Sequence, residues 1–187
     1  MRQGDSEVDS LGLSHFFTKL NPLRLISCFY IQQIVSVKTV EDTHDHKVIQ
    51  FSVFLENKAG KLLDIVSLFG QYNVHVVALT ILDTVDCSVA RLVVDDPDLA
   101  RSLFQEHALA FCEANLVVVE LPSSASDLRN VLKALLQAEV NIHFTYSFLT
   151  RPRGKAALAM CVEDEECATK VLLQNQFKVL SQKDITR

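Results

Sequence analysis

Phe51-Ser52-Val53-Phe54-Leu55-Glu56-Asn57-Lys58-Ala59-Gly60-Lys61-Leu62 and Val117-Val118-Val119-Glu120-Leu121-Pro122-Ser123-Ser124-Ala125-Ser126-Asp127-Leu128 are one pattern written twice, 66 positions apart (51 to 117). In each, an apolar, β-branched run gives way to a short polar turn. Apolar residues three and four apart then follow: Leu62, Ile65, Val66 and Phe69 in the first copy, Leu128, Val131, Leu132 and Leu135 in the second. Strand periodicity hands over to helix periodicity at the turn, which predicts helices over roughly 60–72 and 126–138. The same offset carries Val74-His75-Val76 onto Val140-Asn141-Ile142 and sets Gly60 opposite Ser126. A repeat this regular outranks any single motif.

Two strand-like runs come next in each copy, Val74 to Leu82 and Val89 to Val94, then Val140 to Leu149 and Ala156 to Val162. The links Asp83 to Asp86 and Thr150-Arg151-Pro152-Arg153-Gly154 are short and turn-forming, so each pair reads as an antiparallel hairpin. Asp95-Asp96-Pro97 and Glu163-Asp164-Glu165 place capping carboxylates before a second helix, which carries Leu99, Ala100, Leu103 and Phe104 in one copy and Cys167, Ala168, Val171 and Leu172 in the other. A last strand follows, Leu109 to Cys112 and Phe177 to Leu180. The order strand, helix, strand, strand, helix, strand, twice over, predicts an α+β protein of two ferredoxin-like βαββαβ units side by side. Their antiparallel sheets carry the helices on one face. Only Glu113-Ala114-Asn115 separates the units, too short a link for them to swing freely.

Residues 1–47 match neither copy and form an N-terminal extension; 48–115 and 116–187 are the two domains. Met1 to Ser10 is polar and aperiodic, and is expected to be mobile. The apolar run Leu25 to Ile31 is interrupted by Gln32 and Gln33, too short to cross a bilayer and too far from Met1 for an ordinary signal peptide. It reads as an element packed on the core, as a partner-binding arm, or as a stretch upstream of the true start. These alternatives stay open.

The chain has 187 residues, half of them apolar, and a net charge of −5 without a basic face. Nothing there draws it to nucleic acid or an anionic membrane. Five cysteines (Cys28, Cys87, Cys112, Cys161, Cys167) contain no Cys-x-x-Cys pair and read as reduced thiols of a cytoplasmic protein. Asp42, His44 and His46 lack a further ligand at helical or strand spacing, and no metal or other cofactor is expected. No nucleophile, acid–base pair or phosphate-cradling loop has recognisable local context, so the chain reads as non-catalytic.

Asn57-Lys58-Ala59-Gly60-Lys61-Leu62 after a strand, followed a helix later by Tyr72-Asn73-Val74-His75-Val76, resembles the ACT domain, a small regulatory module that binds amino acids. The likeness covers roughly residues 48–185 and is greatest to free-standing tandem ACT proteins. Ala59 stands where the family usually has Pro. The resemblance implies two composite sites between the units. One joins Asn57, Ala59, Gly60 and Leu62 to Asn141, with His143 and Tyr146 on the same strand; the other joins Ser123, Ala125 and Ser126 to His75.

Such a turn, entering a helix N-terminus, offers unpaired N–H groups and positive potential to a carboxylate. Glycine lets the backbone approach the ligand. The second turn has lost its glycine, and Asp127 would repel a carboxylate there, so that site is expected to be weak or empty. Simpler roles stand beside these: Gly60 serving only its turn, Asn141 capping a strand entrance, His75 half-buried at a sheet edge. The resemblance implies an amino-acid effector and, as a partner, an amino-acid biosynthetic enzyme, and open sheet edges or helix faces lead to the expectation of a homodimer. The alternative is a structural or adaptor subunit that binds no ligand.

Overall fold

The computed structural model describes residues 47–56, 58–83, 87–121 and 125–186. The expectations for residues 1–46, including Cys28 and the Asp42, His44, His46 set, lie outside them, as do Asn57 and Ser123. The first unit consists of β1 (Val48–Glu56), α1 (Lys61–Gln71), β2 (Val76–Asp83), β3 (Cys87–Val94), α2 (Pro97–Glu106) and the start of β4 (Phe111–Leu121). The second continues along β4 into α3 (Ala125–Gln137), β5 (Ile142–Ser147), β6 (Ala156–Val162), α4 (Glu165–Gln174) and β7 (Val179–Leu180), with a short α5 (Gln182–Ile185) after it. These are the two ferredoxin-like units that the repeat predicts.

The three-residue link is not a link. Glu113, Ala114 and Asn115 pair with Phe51, Gln50 and Ile49 of β1, so the last strand of one unit and the first of the next are one continuous strand. Its first half bonds β1, and its second half bonds β6 on one side and β7 on the other. The sheet therefore has seven strands in the order β2-β3-β1-β4-β6-β5, with β7 alongside β4.

β1 and β7 meet end to end, where the Gln182 N–H donates to the Lys47 carbonyl at 3.2 Å. The Gln182 side chain accepts from the Ile49 N–H at 3.2 Å and donates to the Val94 carbonyl at 2.9 Å, satisfying backbone groups that the junction leaves bare. A capping box, in which Ser181 and Asp184 exchange bonds, starts α5 at this point.

The outer edges approach as well. Ala78 of β2 bridges Phe148, just past β5, and the Leu149 N–H donates to the Val77 carbonyl at 2.9 Å. This curls the sheet on itself and gives it two apolar sides. Phe51, Val53 and Leu55 face α1 and α2 in one core, with Phe51 and Phe104 edge to face at 5.3 Å. Val117, Val119, Leu158 and Met160 face α3 and α4 in another. Between the sheet halves, Val48, Val77, Val93, Val118 and Phe148 form a third. A strand such as β1, buried on both faces, cannot show clean alternation of apolar and polar residues.

The duplication reaches into backbone detail. Asn73 and Glu139, 66 apart, and Ala108 and Gln176, 68 apart, all have positive φ. Each follows a helix whose last turn is closed by bonds such as Val74 N–H to Phe69 O and Val140 N–H to Leu135 O, both 3.0 Å. These are Schellman closures built without glycine. The register shift between Val76 and Ala78 also recurs between Ile142 and Phe144.

Candidate functional site

The turn that leaves β1 is built around Gly60. With φ 92 and ψ −17 it is the N-cap of α1, and among the described residues no side chain caps the helix there. Other helices differ: Asp96 accepts from the Leu99 N–H at 3.0 Å, and Asp164 from the Cys167 N–H at 2.9 Å, as their sequences predict. A Cβ on Gly60 would meet nothing within 4 Å, so it is the backbone conformation, at a larger φ than any of the described non-glycine residues adopts, that favours glycine. Ala59 is exposed, and Leu62 turns inward to pack against the first core. Lys58 pairs with Glu56 at 2.7 Å, and that bond and charge hold the Glu56 carboxyl below its ordinary pKa. A groove of about 450 Å³ opens beside the turn, walled by Leu55, Ile65, Leu68 and Leu109 with Lys61, Asp64 and His107 at its lining.

In the second unit α3 begins at Ala125, and residues 122–124 of the corresponding turn lie outside the described residues. Ser126 is exposed and Asp127 half-buried in the first helical turn, and both are engaged by other groups.

His75 and Asn141 occupy equivalent places, one residue before β2 and β5, and each is held by a carboxylate one residue past the neighbouring strand. Asp95 accepts from the His75 N–H at 2.7 Å, and its other oxygen lies 2.8 Å from the ring Nδ1. Asn141 Nδ2 donates to Glu163 at 2.7 Å. Backbone bonds from the Asp95 N–H to His75 O and from the Glu163 N–H to Asn141 O complete the two clamps. His143 is exposed at the β5 bulge, whereas its counterpart Val77 is buried.

The antiparallel Ala78–Phe148 bridge sets the two edge strands head to tail. The Asn141 end of β5 thus lies toward the end of β2 at which β1 passes into the Gly60 turn. The His75 end of β2 lies toward Leu149 and the end of β4 that leads to Ser126. Asn141 and His75 nevertheless bond within their own units.

Sequence reasoning missed a polar cluster on the inner face of the curled sheet. Tyr146 donates to Gln50 Oε1 at 2.8 Å, Gln50 Nε2 donates to Ser52 Oγ at 3.1 Å, and Arg91 stacks on Phe144 with 3.6 Å from the guanidinium carbon to the ring centre. Gln50 and Ser52 alternate with Phe51 and Val53, so their pattern reads as a solvent face. The available signal was Arg91, a lone charge in the apolar run Val89 to Val94. Glu120, also buried, pairs with Lys155 at 2.7 Å through one oxygen and leaves the other without a partner among the described residues.

Cys112, Cys161 and Cys167 are half-buried free thiols. Among the described residues no group of three His, Cys, Asp or Glu side chains is placed to hold a metal ion, and no helix is long and apolar enough to cross a membrane.

The family model described as "ACT domain pair" matches residues 46–187. A crystallised protein of Bacteroides thetaiotaomicron superposes with a TM-score of 0.71 at 26% identity, over 78% of this chain and 99% of that one. The ligand-free regulatory subunit of aspartate kinase from Thermus thermophilus does so with a TM-score of 0.50 at 13% identity, over 70% of this chain and 93% of that one, a likeness of fold. No curated protein matches the sequence.

Proposed function

This chain belongs to the ACT domain pair family, and from that membership we propose that it is a non-catalytic regulatory protein that binds a free amino acid between its two units. The observation that carries the reading is the Gly60 turn, a left-handed glycine at the start of α1 that no side chain among the described residues caps. Its helix N-terminus presents N–H donors and positive potential, to which an α-carboxylate is complementary. Asn141, at the facing end of β5, has an amide oxygen able to accept from the ligand's ammonium group while its nitrogen stays on Glu163. The site at Ser126 is the weaker of the two, because Asp127 places negative charge in the first turn of α3. Regulation then requires that the ligand favour one arrangement of the units, or of a dimer or partner enzyme, over another.

The commitment of His75 to Asp95 and of Asn141 to Glu163 favours a second reading, an adaptor subunit whose clamps are purely structural. Calorimetric titration with the common amino acids separates the two. Binding at 100 times the dissociation constant adds about 2.7 kcal/mol of stability and raises the melting temperature. No saturable heat and no shift in melting with any of them would leave the adaptor reading standing.

A further inference from the structure

The inner face of the curled sheet holds one full charge that no carboxylate among the described residues balances. Arg91 sits within β3, opposite Ser52 of β1 and Thr80 of β2, and is 8% exposed. A guanidinium cannot shed its proton to escape burial, so it needs hydrogen-bond acceptors and negative charge. The ring of Phe144 supplies only a quadrupole. Tyr146 and Cys161 are the ionisable groups that act on it, and burial pushes both pKa values up, which keeps them neutral. The Tyr146–Gln50–Ser52 chain of hydrogen bonds is neutral as well, and Ser52, an acceptor in it, keeps its own proton to donate. Along β4 the residues opposite Ser52 and Gln50 are Cys112 and Ala114, both small and half-buried, the least covered neighbours of a cluster that is itself buried.

We infer that Arg91, with Ser52 beside it and Phe144 beneath it, is a second ligand site, independent of the Gly60 turn, that takes the carboxylate of a small monoanionic molecule on the inner face of the curled sheet. The planar fork of a guanidinium matches a carboxylate with two parallel bonds. A single buried cation neutralises a monoanion and leaves a phosphate dianion with surplus charge. The apolar neighbours Ala78 and Val93 suit a ligand with an apolar body.

The test uses the full chain and the Nε–H resonance of Arg91, titrated with sodium acetate and, at matched ionic strength, with sodium chloride. Acetate should move the resonance saturably and chloride should not. Read on the backbone amide resonances of Ser52 and Phe144, which every variant retains, the response should survive Gly60→Val, weaken at least tenfold in Arg91→Lys, which keeps the charge and loses the fork, and vanish in Arg91→Gln. Equal responses to acetate and chloride would overturn the inference. So would a resonance indifferent to acetate because a carboxylate of the chain's own already holds the guanidinium. The titration of the unaltered chain decides the matter even where a variant fails to fold.

Discussion

Asp95 grips His75 through both carboxylate oxygens, one on the backbone N–H and one on the imidazole, and Glu163 grips Asn141 at the equivalent place in the second unit. The two clamps are copies that differ in burial: the Asp95 side chain is 8% exposed, whereas the Asn141–Glu163 bond is in solvent. Asp95→Ala should therefore cost about 2 kcal/mol, the scale of a lost charge-assisted bond with its donors stranded. Glu163→Ala should cost about 0.5 kcal/mol, since water replaces the lost partner. Urea unfolding of the two variants, compared at constant m-value, measures the contrast.

Gly60→Val places a β-branched residue at φ 92, where a Cβ would meet nothing within 4 Å, so its cost is chiefly backbone strain. A loss of about 1–2 kcal/mol is expected, together with loss of amino-acid binding. Calorimetry on the folded variant separates these effects. Unchanged affinity would remove Gly60 from the site.

Ala108 has φ 51 and is exposed at the end of α2, so its left-handed conformation is strained without a compensating contact. Ala108→Gly should raise stability by about 0.5–1 kcal/mol. Thermal melts will show whether the midpoint rises.

Tyr146 links the chain's stability to alkaline pH. Its hydroxyl is pushed above the ordinary value of 10.0, chiefly by burial, so the folded state holds its proton more tightly than the unfolded state does. Stability from this group is complete below pH 10 and is lost as pH rises further, where the unfolded chain sheds the proton first. Cys161, raised from 9.0 mainly by burial, acts in the same direction. Tyr146→Phe should lower stability at neutral pH by about 1 kcal/mol through the lost bond to Gln50, and should melt with a shallower pH dependence between pH 9 and 11.

The fold was legible because each unit states its own periodicity and the second copy repeats the statement. Asp96 and Asp164 announce their helices in the same way, by acidic residues just before an apolar helical pattern. The shared strand was hidden because Glu113 and Asn115 look like turn residues, while backbone pairing with Phe51 and Ile49 makes them strand whatever their side chains prefer. The brief α5 and the role of Gln182 had no counterpart in the repeat to reveal them. Around the Gly60 turn, the sequence supplied the backbone conformation. It did not supply the partners of His75 and Asn141, because Asp95 and Glu163 lie 20 and 22 positions away and are also near the capping positions of the next helices. The inner cluster escaped notice because a curled sheet buries the face that alternation assigns to water.

Gln182 bonds the Ile49 N–H across 133 positions of sequence. During synthesis, β1 is exposed long before its last hydrogen-bond partner leaves the ribosome. The first unit can assemble its helices and hairpin early, but the end of β1 stays an open template for stray strand pairing until residues beyond 180 arrive. Loss of Gln182 should therefore show first as aggregation of newly made protein, and only second as a lower melting temperature.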